Sequence, residues 1–185
     1  PPNIIAVTGT NGKSSVADFF YQILDLNKVP VASIGTLGIF SKKYSKKINL
    51  TTIDALSLHK SLEIISKNKV KNVILEASSH GLLQKRLNNL DIKLGIFTNL
   101  SHDHLDYHKN AKSYLNAKLY LFNNLLNKKS QIITDENNKE FKVLKKIANK
   151  KKIKISTIGS LTGDLKILDN KYEDKIQIVK ISLNS

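Results

Sequence analysis

The chain has 185 residues, 41% of them hydrophobic, which suffices for one domain with a hydrophobic core. It has no cysteine, which excludes disulfides and thiolate metal sites, and no apolar run long enough to cross a bilayer. The net charge of +15 comes almost wholly from lysine without interleaved aromatic residues, which favours a solvated surface over a nucleic-acid interface.

Strands and helices alternate along the first half of the chain. The residue pattern predicts strands at Asn3–Thr8, Val31–Ile34 and Asn72–Ala77, helices at Ser14–Leu26 and Asp54–Ser66, and a β-hairpin at Leu37–Leu50. Thr52 precedes the second helix and is expected to cap it.

The second half continues the alternation and then changes to strands alone. It predicts strands at Leu94–Thr98, Ser130–Thr134 and Lys154–Ile158, helices at Asn110–Leu126 and Asp135–Lys150, and two closing strands at Leu165–Leu168 and Lys175–Leu183. The whole pattern predicts an α/β fold with a mostly parallel sheet and helices on both faces. The closing strands are expected to form a small antiparallel β extension at the C-terminal end.

The first predicted strand runs into a glycine-rich turn, TGTNGKSS, and a helix follows at once. Glycines let the backbone bring N–H groups close to an anion, and the helix N-terminus adds a positive dipole end. The turn departs from the common long form of this motif, because Val7 stands where another glycine is usual. The order of strand, turn and helix still predicts a phosphate-binding loop, whose residues are Gly9, Thr10, Asn11, Gly12, Lys13, Ser14 and Ser15.

Two side chains of this loop have a chemical role in the prediction. Lys13 can place a positive charge near the outer phosphates of a nucleotide. Ser14 can offer its hydroxyl to Mg²⁺.

Glu76 ends a predicted strand directly after four apolar residues. A carboxylate at such a position is costly unless it is paired or bound to a metal ion. Ligands of open α/β sheets bind outside the carboxyl ends of the strands, so Mg²⁺ beside a nucleotide would suit Glu76. A structural ion pair is the alternative.

A histidine-rich segment follows the strand Leu94–Thr98. His102, His104 and His108 resemble the ligands of a zinc hydrolase, but Tyr107 breaks the usual spacing before the last histidine. One histidine that helps to bind a second Mg²⁺ is the more economical hypothesis.

Lys118 shares an apolar stripe of its predicted helix with Tyr114, Leu121 and Leu125. Periodicity alone favours a lysine whose stem packs on this stripe while its amine reaches water. The alternative is a buried amine with a lowered pKa. In its neutral form such an amine can add carbon dioxide, and the resulting carbamate is an anionic metal ligand.

Four stretches of the chain are considered together: TGTNGKSS, EASSHGLLQKR (Glu76–Arg86), FTNLSHDHLDYH (Phe97–His108) and YLNAKLYLF (Tyr114–Phe122). Together they resemble the Mur ligases, ATP-dependent amide-forming enzymes of peptidoglycan synthesis. They are most similar to the members that add the third peptide residue. The similarity extends from about Val7 to Asp135.

The resemblance implies roles for individual residues. Gly9 to Ser15 would bind the phosphates of ATP, and the Mg²⁺ ligands would be Ser14, Glu76, His104 and a carbamylated Lys118. Lys13, Glu76, His104 and Lys118 would be the catalytic residues. Contacts with a UDP-muramoyl dipeptide would come from Thr51, Thr52, Ser78, Gln84 and Arg86. The family often has asparagine where this chain has Leu50, so that contact is not expected here.

The implied reaction transfers the γ-phosphoryl group of ATP to a carboxylate of the D-Glu residue. The amine of meso-diaminopimelate or L-lysine then attacks the acyl phosphate, and phosphate leaves. The sister ligase folylpolyglutamate synthetase, which shares the loop, is one alternative function. A non-catalytic nucleotide-binding module and an RNA-binding protein are two others.

Residues 1–185 would then be the central ATP-binding domain of a Mur ligase, and we expect this domain to be truncated after Ile181. The lack of any methionine, even at position 1, predicts a piece of a longer chain without the N-terminal UDP-binding and C-terminal ligase domains. We expect this piece alone to be inactive. The resemblance further implies a cytoplasmic monomer whose partners are small-molecule substrates rather than nucleic acid or membrane.

Overall fold

A single sheet of ten strands organises the described part of the chain. The computed structural model describes residues 1–101, 105–108, 110–160 and 163–183, except the side chains of residues 105 and 106. The strands are β1 (Asn3–Thr8), β2 (Val31–Gly35), β3 (Gly38–Ser41), β4 (Tyr44–Lys46), β5 (Asn72–Glu76), β6 (Ile92–Phe97), β7 (Leu126–Asp135), β8 (Lys154–Gly159), β9 (Leu165–Glu173) and β10 (Ile176–Leu183). The helices are α1 (Lys13–Leu26), α2 (Ala55–Lys67), α3 (Ser79–Leu83), α4 (Leu105–His108), α5 (Ala111–Tyr120) and α6 (Phe141–Lys151).

The strand order is β10-β9-β8-β7-β6-β1-β5-β2-β3-β4. β1 pairs in parallel with β5 on one side and with β6 on the other. Along this order, each pair of neighbouring strands between β9 and β2 is parallel. The pairs β10–β9, β2–β3 and β3–β4 at the two ends of the sheet are antiparallel. This arrangement confirms the predicted mostly parallel sheet and its antiparallel C-terminal extension.

Alternate residues of β1 pack on opposite faces of the sheet, as the two-residue period of a strand requires. Ile5 and Val7 form a small cluster with Ala17 of α1. Ile4 and Ala6 belong to a larger cluster that also contains residues of α2, α3, α5 and α6. Helices therefore cover both faces, and β1 is buried between them. None of the helices in the described ranges is long and apolar enough to span a membrane.

Two predicted helices have different boundaries in the structure. The helix expected over Asn110–Leu126 is α5 followed by a π-helical turn, Leu121–Leu125. The helix expected over Asp135–Lys150 begins only at Phe141. The residues before it form turns, in which the side chain of Asp135 accepts a hydrogen bond from the backbone N–H of Asn137 at 2.7 Å.

Lys151 at the end of α6 supports the end of the π-helical turn. Its ammonium donates to the backbone carbonyl oxygens of Phe122, Asn123 and Leu126 at 3.3, 2.7 and 2.6 Å. Burial lowers the pKa of Lys151. The lysine satisfies carbonyl groups that the end of a helix leaves without partners.

Asp54, and not Thr52, caps α2. The side chain of Asp54 accepts a hydrogen bond from the backbone N–H of Ser57 at 2.9 Å. The hydroxyl of Thr52 instead donates to the backbone carbonyl oxygen of Glu76 at 2.7 Å. The prediction was wrong because Thr52 and Asp54 are both residues that commonly cap helices. The hydroxyl of Thr52 is used in a hydrogen bond to the end of β5, which leaves Asp54 as the cap.

The cap at Asp54 makes the stability of the chain depend on pH. The hydrogen bond from the Ser57 backbone N–H lowers the pKa of Asp54 below its ordinary value of 3.8. A lowered folded-state pKa stabilises the fold above that ordinary value, and the benefit is lost as the pH falls through the folded-state pKa. We expect Asp54→Ala to lower the melting temperature at pH 7 and to converge with wild type in acid.

Thermal melts of both proteins between pH 7 and pH 3 test this expectation. Asp54→Asn is the matched control, because asparagine caps a helix without titrating. A difference between wild type and Asp54→Ala that does not shrink in acid would contradict the role of the Asp54 charge.

Candidate functional site

The glycine-rich turn lies at the carboxyl edge of the sheet, between the ends of β5 and β6. The backbone N–H groups of Ala77 and Thr98 donate to the carbonyl oxygens of Val7 and Thr8 at 2.8 and 2.9 Å. These bonds bring the exits of three neighbouring strands together. The site predicted at this edge therefore draws its residues from several strands.

Gly9 and Gly12 give the turn its shape. Their φ angles are +153° and +83°, values that residues with a Cβ atom rarely adopt. A Cβ on Gly9 would lie 1.8 Å from the hydroxyl oxygen of Thr98, whereas one on Gly12 would meet nothing closer than 3.9 Å. Gly9 is thus required both by its backbone angle and by the close approach of the neighbouring loop.

The segment after β6 braces the turn. The backbone N–H of Thr10 donates to the carbonyl oxygen of Asn99 at 2.9 Å. The backbone N–H of Asn11 donates to the side-chain oxygen of Asn99 at 3.0 Å. The hydroxyl of Thr98 donates to the carbonyl oxygen of Asn11 at 2.7 Å. These bonds fix the backbone of the turn.

Two lysines converge on the carbonyl oxygen of Gly9. Lys13 donates to it at 3.0 Å and to the carbonyl oxygen of Thr10 at 2.8 Å, while Lys118 donates to it at 2.7 Å. Two ammonium groups at one loop concentrate positive charge where a polyanion would bind.

Lys118 does not extend to water, so the interpretation favoured by periodicity is wrong. Only 1% of the residue is exposed, and its ammonium lies 4.3 Å from the ring centroid of Tyr114. The hydroxyl of Tyr114 is in turn 3.1 Å from the hydroxyl of Thr10. The apolar stripe of α5 carries Lys118 under the turn, where the Gly9 carbonyl provides a buried partner.

Glu76 is buried at the end of β5, with 2% of its surface exposed. Its carboxylate accepts hydrogen bonds from the hydroxyl of Ser14 at 2.8 Å, and from the backbone N–H and hydroxyl of Thr36 at 2.7 and 3.2 Å. A Cβ on Gly35 would lie 2.1 Å from the carboxylate, so glycine leaves the space that Glu76 fills. Neutral groups, rather than the cation of the alternative ion-pair interpretation, hold Glu76 among the described residues.

A cavity of about 260 Å³ opens beside the turn. Its lining includes every residue for which the resemblance implies a contact with the acyl substrate, together with Lys13 and Lys118. Its lining residues are Lys13, Leu50, Thr51, Thr52, Ser78, Ser79, His80, Gln84, Arg86, Tyr114 and Lys118.

Hydrogen bonds fix the wall of this cavity. Thr52 accepts from the backbone N–H of Ser78 at 2.9 Å, and Ser78 caps α3 by accepting from the N–H of Gly81 at 3.1 Å. The guanidinium of Arg86 donates to the carbonyl oxygen of Thr52 and to the side-chain oxygen of Gln84. The wall therefore presents hydroxyl and guanidinium donors.

The histidine-rich segment is described only in part. His102 and His104 lie outside the described residues, so the role of His104 stays a prediction. His108 is buried, and its Nε2 atom lies 2.9 Å from the hydroxyl oxygen of Ser79. Within the ranges that the structure describes, no group of three His, Asp or Glu residues could hold a metal ion.

Sequence reasoning assigned no role to Thr36, and it included the bracing residues Thr98 and Asn99 only as members of the motif FTNLSHDHLDYH. Thr36 follows β2 and holds the carboxylate of Glu76. Its position after a parallel strand was the available signal, because residues at the carboxyl ends of parallel strands share one edge of the sheet. A hydrophobic pattern alone does not distinguish such residues from an ordinary polar loop.

Comparison with known proteins places the fold in a family. The chain matches the Mur ligase middle domain over residues 7–184. A UDP-N-acetylmuramoyl-L-alanyl-D-glutamate–2,6-diaminopimelate ligase of Rickettsia bellii is 43% identical over 171 residues, which are 90% of this chain and 36% of that protein. The chain thus spans little more than a third of the length of this curated relative.

Solved structures agree in fold. A UDP-N-acetylmuramoyl-L-alanyl-D-glutamate–2,6-diaminopimelate ligase superposes with a TM-score of 0.84 at 33% identity, over 98% of this chain and 37% of the other. Folylpolyglutamate synthase of Mycobacterium tuberculosis, solved with ADP and AMPPCP, reaches a TM-score of 0.71 at 13% identity, over 97% and 47%. The second likeness concerns the fold alone.

Proposed function

Since the chain belongs to the Mur ligase family, we propose that it forms the central ATP-binding domain of a peptidoglycan ligase. The ligase adds a diamino acid as the third residue of UDP-N-acetylmuramoyl-L-Ala-D-Glu. The names of the relatives favour 2,6-diaminopimelate over L-lysine as the added residue. A uridine-binding domain and an amino-acid-binding domain complete the site in a longer, monomeric and cytoplasmic protein.

The observation that carries this proposal is the 2.8 Å hydrogen bond between Ser14 and Glu76. It joins the hydroxyl of the phosphate-binding loop to a buried carboxylate of the neighbouring strand. A hydroxyl and a carboxylate are oxygen ligands of the kind that Mg²⁺ prefers. This donor set fits Mg²⁺ beside the phosphates of ATP, with Ser14 and Glu76 as ligands.

His104 and a carbamylated Lys118 complete the metal ligands in this proposal. The placement of Lys118 supports the second assignment, because its buried side-chain nitrogen lies 2.7 Å from the Gly9 carbonyl oxygen, at the loop that would bind the phosphates. Bound Mg²⁺ would supply positive charge that offsets the repulsion between the γ-phosphate and the substrate carboxylate. The fragment without its partner domains does not ligate.

The residues of the chain divide the remaining work. The loop Gly9 to Ser15 binds the phosphates through the N–H groups at the N-terminus of α1, whereas the N–H groups of Thr10 and Asn11 donate to Asn99. Lys13 turns from the loop carbonyls toward the outer phosphates. Thr51, Thr52, Ser78, Gln84 and Arg86 hold the UDP-muramoyl dipeptide in the cavity. The D-Glu carboxylate then takes the γ-phosphoryl group, the diamino acid amine attacks the acyl phosphate, and inorganic phosphate leaves.

Glu76→Gln tests this function in the complete ligase that contains the chain. We expect amide formation to fall about a hundredfold, because glutamine keeps the shape of the side chain but loses the charge that holds the metal ion. The measurement is phosphate release that depends on both ATP and UDP-muramoyl dipeptide. Raising the Mg²⁺ concentration should recover part of the rate.

Glu63→Gln is the matched control. Glu63 lies exposed on α2 and forms an ion pair with Lys67 at 2.6 Å. Its replacement should leave the rate unchanged. A wild-type ligase that uses a folate in place of the UDP-muramoyl dipeptide would overturn the proposed substrate.

A further inference from the structure

Arg86 is held on two sides at the wall of the cavity. Its Nε and Nη2 atoms donate to the side-chain oxygen of Gln84 at 2.9 and 2.5 Å, and its Nη1 atom donates to the carbonyl oxygen of Thr52. A guanidinium has five N–H donors. These contacts leave two N–H bonds, one on each terminal nitrogen, and Arg86 lines the cavity, so its guanidinium can bind an anionic group there.

The position of this guanidinium depends on which way the Gln84 amide faces. The amide oxygen of Gln84 must face Arg86, because the amide NH₂ group would place its N–H donors against the N–H donors of the guanidinium. The Nε2 atom of Gln84 donates to the hydroxyl oxygen of Tyr107 at 3.1 Å. Tyr107 therefore anchors the far end of the Gln84 amide, while the donor-only guanidinium of Arg86 fixes which end is the oxygen.

Packing against α3 fixes Tyr107 itself, although 41% of the residue is exposed. Its ring lies against His80, with centroids 3.8 Å apart and planes inclined by 38°. The next residue, His108, is buried and contacts the hydroxyl of Ser79 at 2.9 Å. Helix α4 is thus attached to the cavity wall at two successive residues.

We propose that Tyr107 is a positioning residue for the acyl substrate, acting through Gln84 on the guanidinium of Arg86. The group recognised is an anionic group of that substrate, and the inference rests on the proposed ligase function. Among the described residues, Tyr107 makes its contacts with Gln84, His80 and His108 rather than with the loop Gly9–Ser15. Its effect is confined to the acyl substrate.

Tyr107→Phe in the complete ligase is the direct test, since it removes the hydroxyl and keeps the ring against His80. We expect the KM for UDP-muramoyl dipeptide to rise about three- to tenfold, the usual effect of losing one hydrogen bond. The kcat and the KM for ATP stay within about twofold of wild type. A general loosening of the structure would change all three parameters.

Tyr120→Phe is the matched control, because Tyr120 also makes one 3.1 Å hydrogen bond to a side-chain amide, that of Asn88. It should leave the KM for UDP-muramoyl dipeptide unchanged. A second variant, Gln84→Ala, should raise this KM, and adding Tyr107→Phe to it should cause no further rise, because both act through one contact.

Three results would overturn the inference. These are an unchanged KM in Tyr107→Phe, an equal rise in the KM for ATP, and additive effects of the two substitutions. A wild-type ligase that forms no amide with UDP-muramoyl dipeptide would instead overturn the proposed function, and the inference with it.

Discussion

Replacing Lys118 with methionine should lower amide formation in the complete ligase about a thousandfold while the protein stays folded. Methionine has a similar length and no charge, so it removes both the ammonium and any carbamate. The Gly9 carbonyl keeps Lys13 as a donor, so the substitution leaves this buried acceptor with a hydrogen-bond partner. Steady-state rates and thermal melts of the same preparations measure both effects.

Lys118→Arg separates two explanations for that loss. Arginine keeps a positive charge but cannot become a carbamate, so it should be as inactive as methionine if the anionic form is the working one. Recovery of the wild-type rate by arginine would show that a cation suffices. A large fall in melting temperature for both variants would point to a structural role.

Replacing Gly9 with alanine should abolish nucleotide binding and destabilise the chain by about 2–5 kcal/mol. Two costs add at this position. The φ of +153° is strained for alanine, and its Cβ would lie 1.8 Å from the Thr98 hydroxyl oxygen and 3.0 Å from the backbone N of Asn99. Urea unfolding followed by circular dichroism suits this chain, which has no tryptophan.

Gly12→Ala is the matched control for that experiment. Its φ is also positive, but a new Cβ there would make only ordinary van der Waals contacts, with the side chain of Thr98 at 3.9 Å. We expect a loss of only about 1–2 kcal/mol, the cost of left-handed backbone for alanine. Equal losses for the two variants would mean that backbone strain alone, and not the contact with Thr98, makes Gly9 necessary.

The parts of the site that depend on local pattern could be predicted from the sequence. The strand, turn and helix around Lys13 form a contiguous motif, and the edge rule for parallel sheets brings Glu76 to it. The structure places these groups together through the 2.8 Å contact between Ser14 and Glu76. Neither step needed knowledge of distant packing.

The burial of Lys118 could not be predicted in the same way. Its partner, the Gly9 carbonyl, is 109 residues away in the chain, and periodicity says nothing about what faces an apolar stripe. The same limit applies to α1. The helical spacing of Phe19 and Ile23 predicted the helix correctly, yet these side chains are 62% and 59% exposed. Spacing identifies a helix, and packing decides which of its faces is covered.

The central place of β1 has a consequence for biosynthesis. β1 leaves the ribosome well before the strands on its two sides, which begin only at Asn72 and Ile92. The apolar strand β1 therefore stays unpaired while dozens of further residues are added, until β5 or β6 can bond to it. Apolar segments that stay exposed during synthesis are prone to aggregate. We expect chaperones that hold emerging apolar segments to contact β1 before β5 and β6 have been synthesised.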